Sequence, residues 1–364
     1  MFLRLKLENK LKTWAATSLP VGWLEPYLNG GDCVVFSSNP LIIYVTDWII
    51  HSRAAALLSV LRTFKHQTVY MLIHLSWVHD ISTRIEQLKL LQARHLRHYR
   101  NHRMIFMANS KEEYRKLIDA GLETAWVSHN AFVNPAIFRI LTDSEKRFDA
   151  VYDARISPFK RHHLAVKIKN LALITARAPD HHDESYTRSI RKILPQAYWF
   201  NDPLTTDYRW MSFPEINTAL NQCCVGLCLS AEEGAMLASI QYLLAGLPIV
   251  STKSRGGRDE FFDPDYVQIV GDNAEEVADG VRKMLECPVP PDEIRRRTLQ
   301  IIERHKTRLF ELLDSICSAE GSHVDLRPCW DSWTVRLFTE ATPDVIRRHI
   351  HDAAISQYIS PDKL

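Results

Sequence analysis

The stretch that decides the fold is CVGLCLSAEEGAMLASIQYLLAGLPIVST, residues 224–252. It opens with an apolar, β-rich run over 224–229 and continues as an apolar helix pattern over 234–244. Ala245-Gly246 breaks that helix, and a second apolar run follows over 247–251. This is a βαβ unit of the right length for a right-handed crossover, so the segment predicts a parallel sheet with helices packed on it.

The same alternation of strand and helix extends in both directions and predicts an α/β protein with two sheets. A capped helix is predicted at 110–120, where Asn109 or Ser110 can accept first-turn N–H groups. The polar stretch 142–147 is the predicted linker, which gives domains at 1–145 and 146–305 and a helical segment at 306–364 expected to pack back across both. The remaining predicted strands cover 33–37, 68–73, 104–108, 124–128, 148–153, 170–175, 197–200 and 267–270.

Composition agrees with a folded globular protein of two domains. The chain has 364 residues, of which 46% are hydrophobic and 24% charged, and its net charge is only +2. Apolar runs such as 41–45 and 48–50 are too short to span a bilayer, and residues 1–12 lack the pattern of an export signal. Seven cysteines without paired metal-ligand spacing favour a reducing cytoplasm.

Two segments with charged residues follow predicted strands of the second domain. Ser230, Glu233 and Gly234 come after the strand at 224–229, where a helix N-terminus offers free N–H groups to phosphate. Arg155 and Lys160 come after the strand at 148–153. Because ligands bind beyond the carboxyl ends of parallel strands, the segment from Ser230 to Gly234 predicts a phosphate site at this edge of the sheet. Arg155 and Lys160, taken alone, are more typical of a solvated face.

This pattern resembles the large family of retaining nucleotide-sugar glycosyltransferases of the GT-B type, which is marked by a Glu, seven residues and a second Glu. The resemblance covers residues 148–286 well and 104–138 more loosely, and it implies two Rossmann-like domains facing across a cleft. The residues that match the family pattern in order and spacing are Ser230, Glu233, Gly234, Gly246, Pro248, Thr252, Gly256, Gly257 and Glu260.

The resemblance also implies roles for individual residues. Glu233 accepts hydrogen bonds from sugar hydroxyls, and Arg155 and Lys160 reach the donor diphosphate and offset the charge of the leaving group. The second Glu of the family, which holds the ribose hydroxyls, is replaced by Gln241, an acceptor without the charge. The remaining implied donor contacts are Ser230, Gly234 and the N–H groups of Ala235, Met236 and Leu237.

The first domain is less typical of the family. Relatives open with a strand and a Gly-Gly loop, whereas Gly30-Gly31 precedes the first predicted strand here. A family histidine that positions the reacting sugar has two candidates, His74 and His79, and the alternative for each is a loop histidine with local hydrogen bonds.

Three weaker patterns remain. Arg94, Arg97, Arg100 and Arg103 form a basic ridge if they lie on one helix, which could contact anionic lipid or an anionic acceptor; the alternative is a solvated helix face. The adjacent pairs His162-His163 and His181-His182 lack the spacing of a metal site, and no metal or other cofactor is expected.

The sequence therefore predicts a cytoplasmic glycosyltransferase, and peripheral association with the inner face of the membrane is an open alternative. The predicted enzyme moves a sugar from a nucleoside diphosphate sugar to a hydroxyl of a glycan, a lipid-linked acceptor or a small metabolite, with retention, and uses no nucleic acid. The alternatives are a non-catalytic or partner-dependent subunit with the same fold, which Gln241 favours, and a nucleotide-sugar epimerase.

Overall fold

The computed structural model describes residues 33–47, 55–177, 183–336 and 342–358. Gly30-Gly31, His181-His182 and the apolar run 48–50 lie outside these ranges. The chain forms two compact units, one drawn from residues 1–132 and 305–364 and the other from residues 133–304. Within the described ranges, no helix is both long and apolar enough to cross a membrane.

The strands form one sheet in each unit. The strands of the first sheet are β1 (Cys33–Ser38), β2 (Leu41–Thr46), β3 (Val69–His74), β4 (His102–Ala108) and β5 (Thr124–Trp126). The strands of the second sheet are β6 (Phe148–Asp153), β7 (Leu171–Ile174), β8 (Tyr198–Trp199), β9 (Cys223–Cys228), β10 (Ile249–Thr252) and β11 (Val267–Val270).

Helices connect and cover the strands. In chain order they are α1 (Ala55–Leu61), α2 (Ser82–His98), α3 (Lys111–Asp119), α4 (Glu184–Ile193), α5 (Phe213–Asn221), α6 (Leu237–Leu244), α7 (Ala274–Leu285), α8 (Pro291–Ala319), α9 (Trp330–Arg336) and α10 (Pro343–Tyr358). Ser110 caps α3 as predicted, because its side chain accepts a hydrogen bond from the N–H of Glu113.

The first sheet has the order β1-β2-β3-β4-β5. Strands β2 to β5 are parallel, whereas β1 pairs with β2 in antiparallel fashion. Sequence reasoning noted residues 41–45 only as an apolar run and missed β2. The antiparallel strands β1 and β2 are joined by a short turn rather than by a helix. The alternation of strand and helix, from which the other strands were predicted, is therefore absent here.

Apolar layers cover both faces of the first sheet. Alternating residues such as Ile43 and Met71 pack against α1, α2 and α3 on one face. Their neighbours Tyr44 and Leu72 pack on the other face against the C-terminal half of α8 and against α9, which includes Trp333. Burial on both faces explains why the strands read as continuous apolar runs.

The second sheet is entirely parallel and has the order β11-β10-β9-β6-β7-β8. The chain lays β7 and β8 on one side of β6 and then crosses to place β9, β10 and β11 on the other side. The direction of winding therefore reverses between β6 and β9. In open α/β sheets, this switch point is where the loops diverge and leave room for a ligand.

Two sequence predictions about helices are wrong in detail. Helix α6 begins at Leu237 rather than at Gly234, because residues 231–236 form an irregular loop. The predicted basic ridge is also interrupted, since α2 ends at His98. Arg94 and Arg97 lie on this helix, whereas Arg100 lies in the following turn and Arg103 in β4, so the four side chains do not share one helix face.

Candidate active site

Charged residues converge at the carboxyl edge of the second sheet, at the switch point between β6 and β9. The two strands are direct neighbours, with Ala150 opposite Val225. The loop after β6 carries Arg155 and Lys160, and the loop after β9 carries Ser230 and Glu233. Because both strands end at the same edge, segments that are about 70 residues apart in sequence meet there.

The centre of this edge is a buried ion pair between the Lys160 ammonium and the Glu233 carboxylate. Lys160 is 9% exposed and Glu233 is 5% exposed. The Ser230 hydroxyl donates to the same Glu233 oxygen over 2.5 Å. The structure thus brings together three residues that the sequence prediction assigned to one site. An ammonium has three donors, so Lys160 keeps two for another ligand.

Arg155 and Phe159 lie beside the pair in the same loop. The Arg155 guanidinium lies 4.9 Å from the centre of the Phe159 ring, and the Lys160 ammonium lies 5.1 Å from it. Burial lowers the pKa of Arg155, and the Glu233 carboxylate opposes this change. The loop thus holds two cations on one aromatic ring, close to a carboxylate.

Asp153, at the end of β6, adds a second carboxylate that the sequence prediction missed. It is half-buried, and burial raises its pKa to about 7, while the charge of Lys160 opposes the rise. Its backbone N–H donates to the Tyr242 hydroxyl over 2.6 Å. Asp153 is the last residue of an apolar strand. No sequence pattern distinguishes a buried aspartate at such a position from one on the surface.

Two arginines tie the ends of β9 and β10 together. Arg258 is fully buried and donates to the carbonyls of Ser230 at 2.9 Å and Thr252 at 2.6 Å. Arg161 donates to the Leu229 carbonyl at 2.6 Å and to the Thr252 hydroxyl at 2.7 Å. Sequence reasoning missed both roles, because the carbonyls that they satisfy are brought together only by the sheet.

The loop after β9 is fixed by backbone contacts with the Gly256-Gly257 segment. The N–H of Gly257 donates to the Gly234 carbonyl over 2.6 Å, and the N–H of Glu233 donates to the Arg255 carbonyl over 3.1 Å. Gly256 has a backbone φ angle of +114°, which residues other than glycine rarely adopt. The predicted Gly-Gly motif therefore shapes the loop that carries Glu233.

The start of α6 contains a strained residue. Met236 has φ of +50° and directly precedes Leu237, the first helical residue. A left-handed conformation at a non-glycine residue costs about 1 to 3 kcal/mol and is common near functional sites. Ala235 and Met236 are buried, and Gln241 lies within α6 with 4% exposure. The structure places Gln241 about one turn inside the helix, not in the loop that holds Glu233.

The carboxyl edge of the first sheet carries the two predicted histidines in different settings. His74 ends β3 and its ring centre lies 4.7 Å from that of His129. Both imidazoles are buried. Nothing in the sequence indicates the contact between His129 and His74, which are 55 positions apart in the printed sequence.

His79 lies in a separate polar network. Its Nδ1 lies 2.9 Å from the Trp77 carbonyl oxygen, and its Nε2 lies 3.7 Å from an Asp47 carboxylate oxygen. Its backbone N–H donates to Glu113 over 2.8 Å, as does the N–H of Asn109. Burial raises the pKa of Glu113 to about 7, and the two N–H donors oppose the rise. These contacts favour a role for His79 in holding loops together.

Comparisons with known proteins identify the fold of this chain through solved structures but not through its sequence. No family model matches the chain, and no curated protein matches it. Solved structures do match. Sucrose-phosphate synthase from Thermosynechococcus elongatus is similar with a TM-score of 0.56 and 13% identity, over 76% of this chain and 74% of that one.

Two further matches agree with it. Anabaena HepE, solved in complex with UDP and glucose, has a TM-score of 0.55 and 15% identity, over 75% of this chain and 77% of its own. A glycosyltransferase from Rickettsia africae has a TM-score of 0.51 and 13% identity, over 76% of each chain. At such low identity the likeness shows the fold, which confirms the predicted α/β class with two Rossmann-like units of the GT-B type.

Proposed function

We propose that this chain is a glycosyltransferase that moves a sugar from a nucleoside diphosphate sugar to a hydroxyl acceptor, with retention. The observation that carries the proposal is the buried Lys160–Glu233 pair at the switch point of the second sheet. It supplies a cation for phosphate and a carboxylate for sugar hydroxyls at the place where open α/β sheets bind ligands. The similar HepE structure was solved with UDP and glucose.

In this proposal, the loop after β6 binds the diphosphate. Charge builds up on the departing phosphate in the transition state, and fixed cations near that charge lower the barrier. Arg155 offers a guanidinium fork and Lys160 a compact ammonium, and they lie 4.9 Å and 5.1 Å from the centre of the Phe159 ring. Glu233, held by Ser230, accepts hydrogen bonds from the donor sugar.

The acceptor side of the proposal belongs to the first unit, where His74 positions the acceptor hydroxyl. That hydroxyl attacks from the face that the phosphate leaves, and the phosphate takes the proton, which retains the configuration. The acceptor classes are a glycan, a lipid-linked glycan or a small metabolite. We place the reaction in the cytoplasm.

We further propose that the reaction needs no metal, because Arg155 and Lys160 offset the charge of the leaving diphosphate. Full turnover after treatment with EDTA is the expected result. Loss of turnover that Mg²⁺ or Mn²⁺ restores would contradict this part of the proposal without affecting the donor site.

Contact with an anionic membrane is a separate part of the proposal. Arg94, Arg97, Arg100 and Arg103 are all exposed, although they do not lie on one helix face. Flotation with vesicles of neutral lipid, with and without anionic lipid, tests this contact. Equal recovery in both cases would rule it out.

The test of the main proposal is thermal stabilisation by a panel of nucleoside diphosphates and their sugars. A ligand at 100 times its dissociation constant adds about 2.7 kcal/mol to the stability of the native protein, so a true donor gives a clear shift. Lys160→Met is expected to remove the shift. Lys167→Met is the matched control, since Lys167 forms an exposed pair with Glu275 at 3.0 Å in the same unit.

The second candidate is a subunit that kept the fold without activity, which is favoured by Gln241 in place of a carboxylate. Release of nucleoside diphosphate from the donor, with or without an acceptor, separates the two. An active transferase releases it slowly even without acceptor, whereas such a subunit neither binds nucleotide nor releases it. Absence of any stabilising nucleotide would make the main proposal wrong.

A further inference from the structure

The carboxyl edge of the first sheet contains a buried pair of imidazoles. His74 closes β3, and His129 opens the short 3-10 helix His129–Phe132. Their ring centres lie 4.7 Å apart with an angle of 41° between the rings. His74 is 7% exposed and His129 is 8% exposed, and each ring covers part of the surface of the other.

His129 is held in place by the segment that follows His74. Its backbone N–H donates to the Asn109 side-chain oxygen over 3.2 Å, and the Asn109 amide donates to the Leu75 carbonyl over 2.6 Å. The His129 ring itself also has the Leu75 carbonyl as a hydrogen-bond partner. Because Leu75 is the next residue after His74, these contacts attach His129 to the backbone that carries His74.

Both rings are uncharged at neutral pH, so their contact persists without repulsion. Burial lowers the pKa of His129 to about 4, and the Leu75 carbonyl opposes this change. Burial, and then the charge that His129 would carry, lower the pKa of His74 well below its usual value. The His74 ring also contacts that of Tyr44, with 5.4 Å between the ring centres. His74 thus packs against two rings, those of Tyr44 and His129.

We infer that His129 is a positioning residue that fixes the orientation of the His74 imidazole toward the acceptor. This inference rests on the proposed function, in which His74 positions the acceptor hydroxyl. His129 acts through His74 and needs no contact with substrate. Removal of its ring leaves space beside His74, and a reacting group displaced by about 1 Å can lose about 100-fold in rate.

The first experiment compares the variants His129→Ala and His129→Phe. We expect kcat to fall about 100-fold in His129→Ala, with the KM for the donor unchanged, since the donor site lies in the other unit. His129→Phe retains a ring and is expected to restore most of the loss. His102→Ala is the matched control, because His102 is a buried histidine of the same unit that pairs with His95 at 3.0 Å.

A double-mutant cycle then asks whether His129 acts through His74. If it does, His129→Ala causes no further loss in a His74→Ala background. Equal losses in both backgrounds, or wild-type kcat in His129→Ala, would overturn the inference. A loss in His102→Ala as large as that in His129→Ala would also overturn it, since any buried histidine would then have the same effect.

The second experiment does not depend on activity. The ¹⁵N-imidazole signals of the whole protein are recorded at neutral pH, and the signals of His74 are assigned by their absence in His74→Gln. We expect one sharp set for His74 in the wild type and in His129→Phe, and shifted or broadened signals in His129→Ala. Unchanged signals in His129→Ala contradict the inference. If no donor is found, the proposed function fails and these spectra still decide whether His129 orients His74.

Discussion

The two sheets differ at their carboxyl edges. In the second sheet, the order β11-β10-β9-β6-β7-β8 reverses direction at β6, and the buried Lys160–Glu233 pair lies at that reversal. In the described strands of the first sheet the order runs in one direction, β1-β2-β3-β4-β5, and begins with an antiparallel pair. Among the described strands, the reversal that separates neighbouring loops thus occurs in the second sheet, and ligands of open α/β folds bind at such reversals.

The charge at the two edges differs as well. The second unit presents Arg155 and Lys160 beside Glu233, so its edge suits a ligand that carries both phosphate and hydroxyl groups. The first unit presents the imidazole pair His74 and His129, the buried carboxyl of Glu113 and the Asp47 carboxylate beside His79, and none of these four groups is a guanidinium or an ammonium. This contrast supports the proposal that the second edge binds the anionic donor.

The largest expected effect is the loss of the Glu233 charge. In Glu233→Gln, the amide oxygen still accepts from Ser230 and Lys160, so the fold is kept, but turnover is expected to fall about 1,000-fold because a charged contact to the donor is lost. Steady-state kinetics measures the change. Glu275→Gln, in the exposed pair with Lys167, is the control and should retain wild-type turnover. Equal activity of Glu233→Gln and the control would show that the two edges do not differ as described.

A second effect concerns Glu113 and the stability of the first edge. Burial raises the pKa of Glu113 from 4.5 to about 7. Between pH 4.5 and pH 7, Glu113 is therefore protonated in the folded protein and ionised in the unfolded chain. The contribution of Glu113 is therefore complete below about pH 4.5 and is lost as pH rises through about 7. Its size is about 3 kcal/mol, at about 1.4 kcal/mol for each pH unit.

The measurement is the free energy of unfolding in urea for the wild type and Glu113→Gln at several pH values. We expect the free energy of unfolding of the wild type, relative to that of Glu113→Gln, to fall by about 3 kcal/mol between pH 4.5 and pH 8. Glu112→Gln is the control, since Glu112 is an exposed neighbour that pairs with Lys116 at 2.7 Å. A constant difference across this range would mean that Glu113 is not protonated near neutral pH.

The third effect separates the two predicted histidines. His74→Gln is expected to lower turnover about 100-fold, within the usual range for the loss of a group that handles a reacting hydroxyl. His79→Gln is expected to keep turnover close to the wild-type value and to lower the thermal midpoint, because His79 joins the Trp77 carbonyl and Asp47. The reverse outcome would assign the acceptor to the loop that carries His79.

The smallest effect tests the departure at Gln241. Hydrogen bonds that involve a charged group are about 1 kcal/mol stronger than neutral ones, so Gln241→Glu is expected to lower the dissociation constant of the donor about fivefold. Calorimetric titration measures it, and Gln300→Glu, an exposed site on α8, is the control. Weaker binding in Gln241→Glu would show that this buried position does not reach the donor.

Much of the second unit follows from local sequence patterns. The apolar runs predicted as β6 and β11 have the bounds that the structure shows. Gly256 and Gly257, which the family pattern singled out, shape the loop that carries Glu233. The first unit was less predictable. Strand β2 was missed because a tight antiparallel pair has no helix to mark it, and the basic ridge was wrong because α2 ends at His98.

The sequence by itself determined the α/β class, because strand and helix periodicities are local properties. It also singled out Glu233, Arg155 and Lys160 as candidate site residues, because the loop motifs that contain them are local as well. Tertiary structure alone decided that Arg161 and Arg258 tie β9 to β10, that Asp153 and Glu113 have raised pKa values, and that His129 packs on His74. Each of these depends on burial and on which strands are neighbours, and neither is set by residues close in sequence.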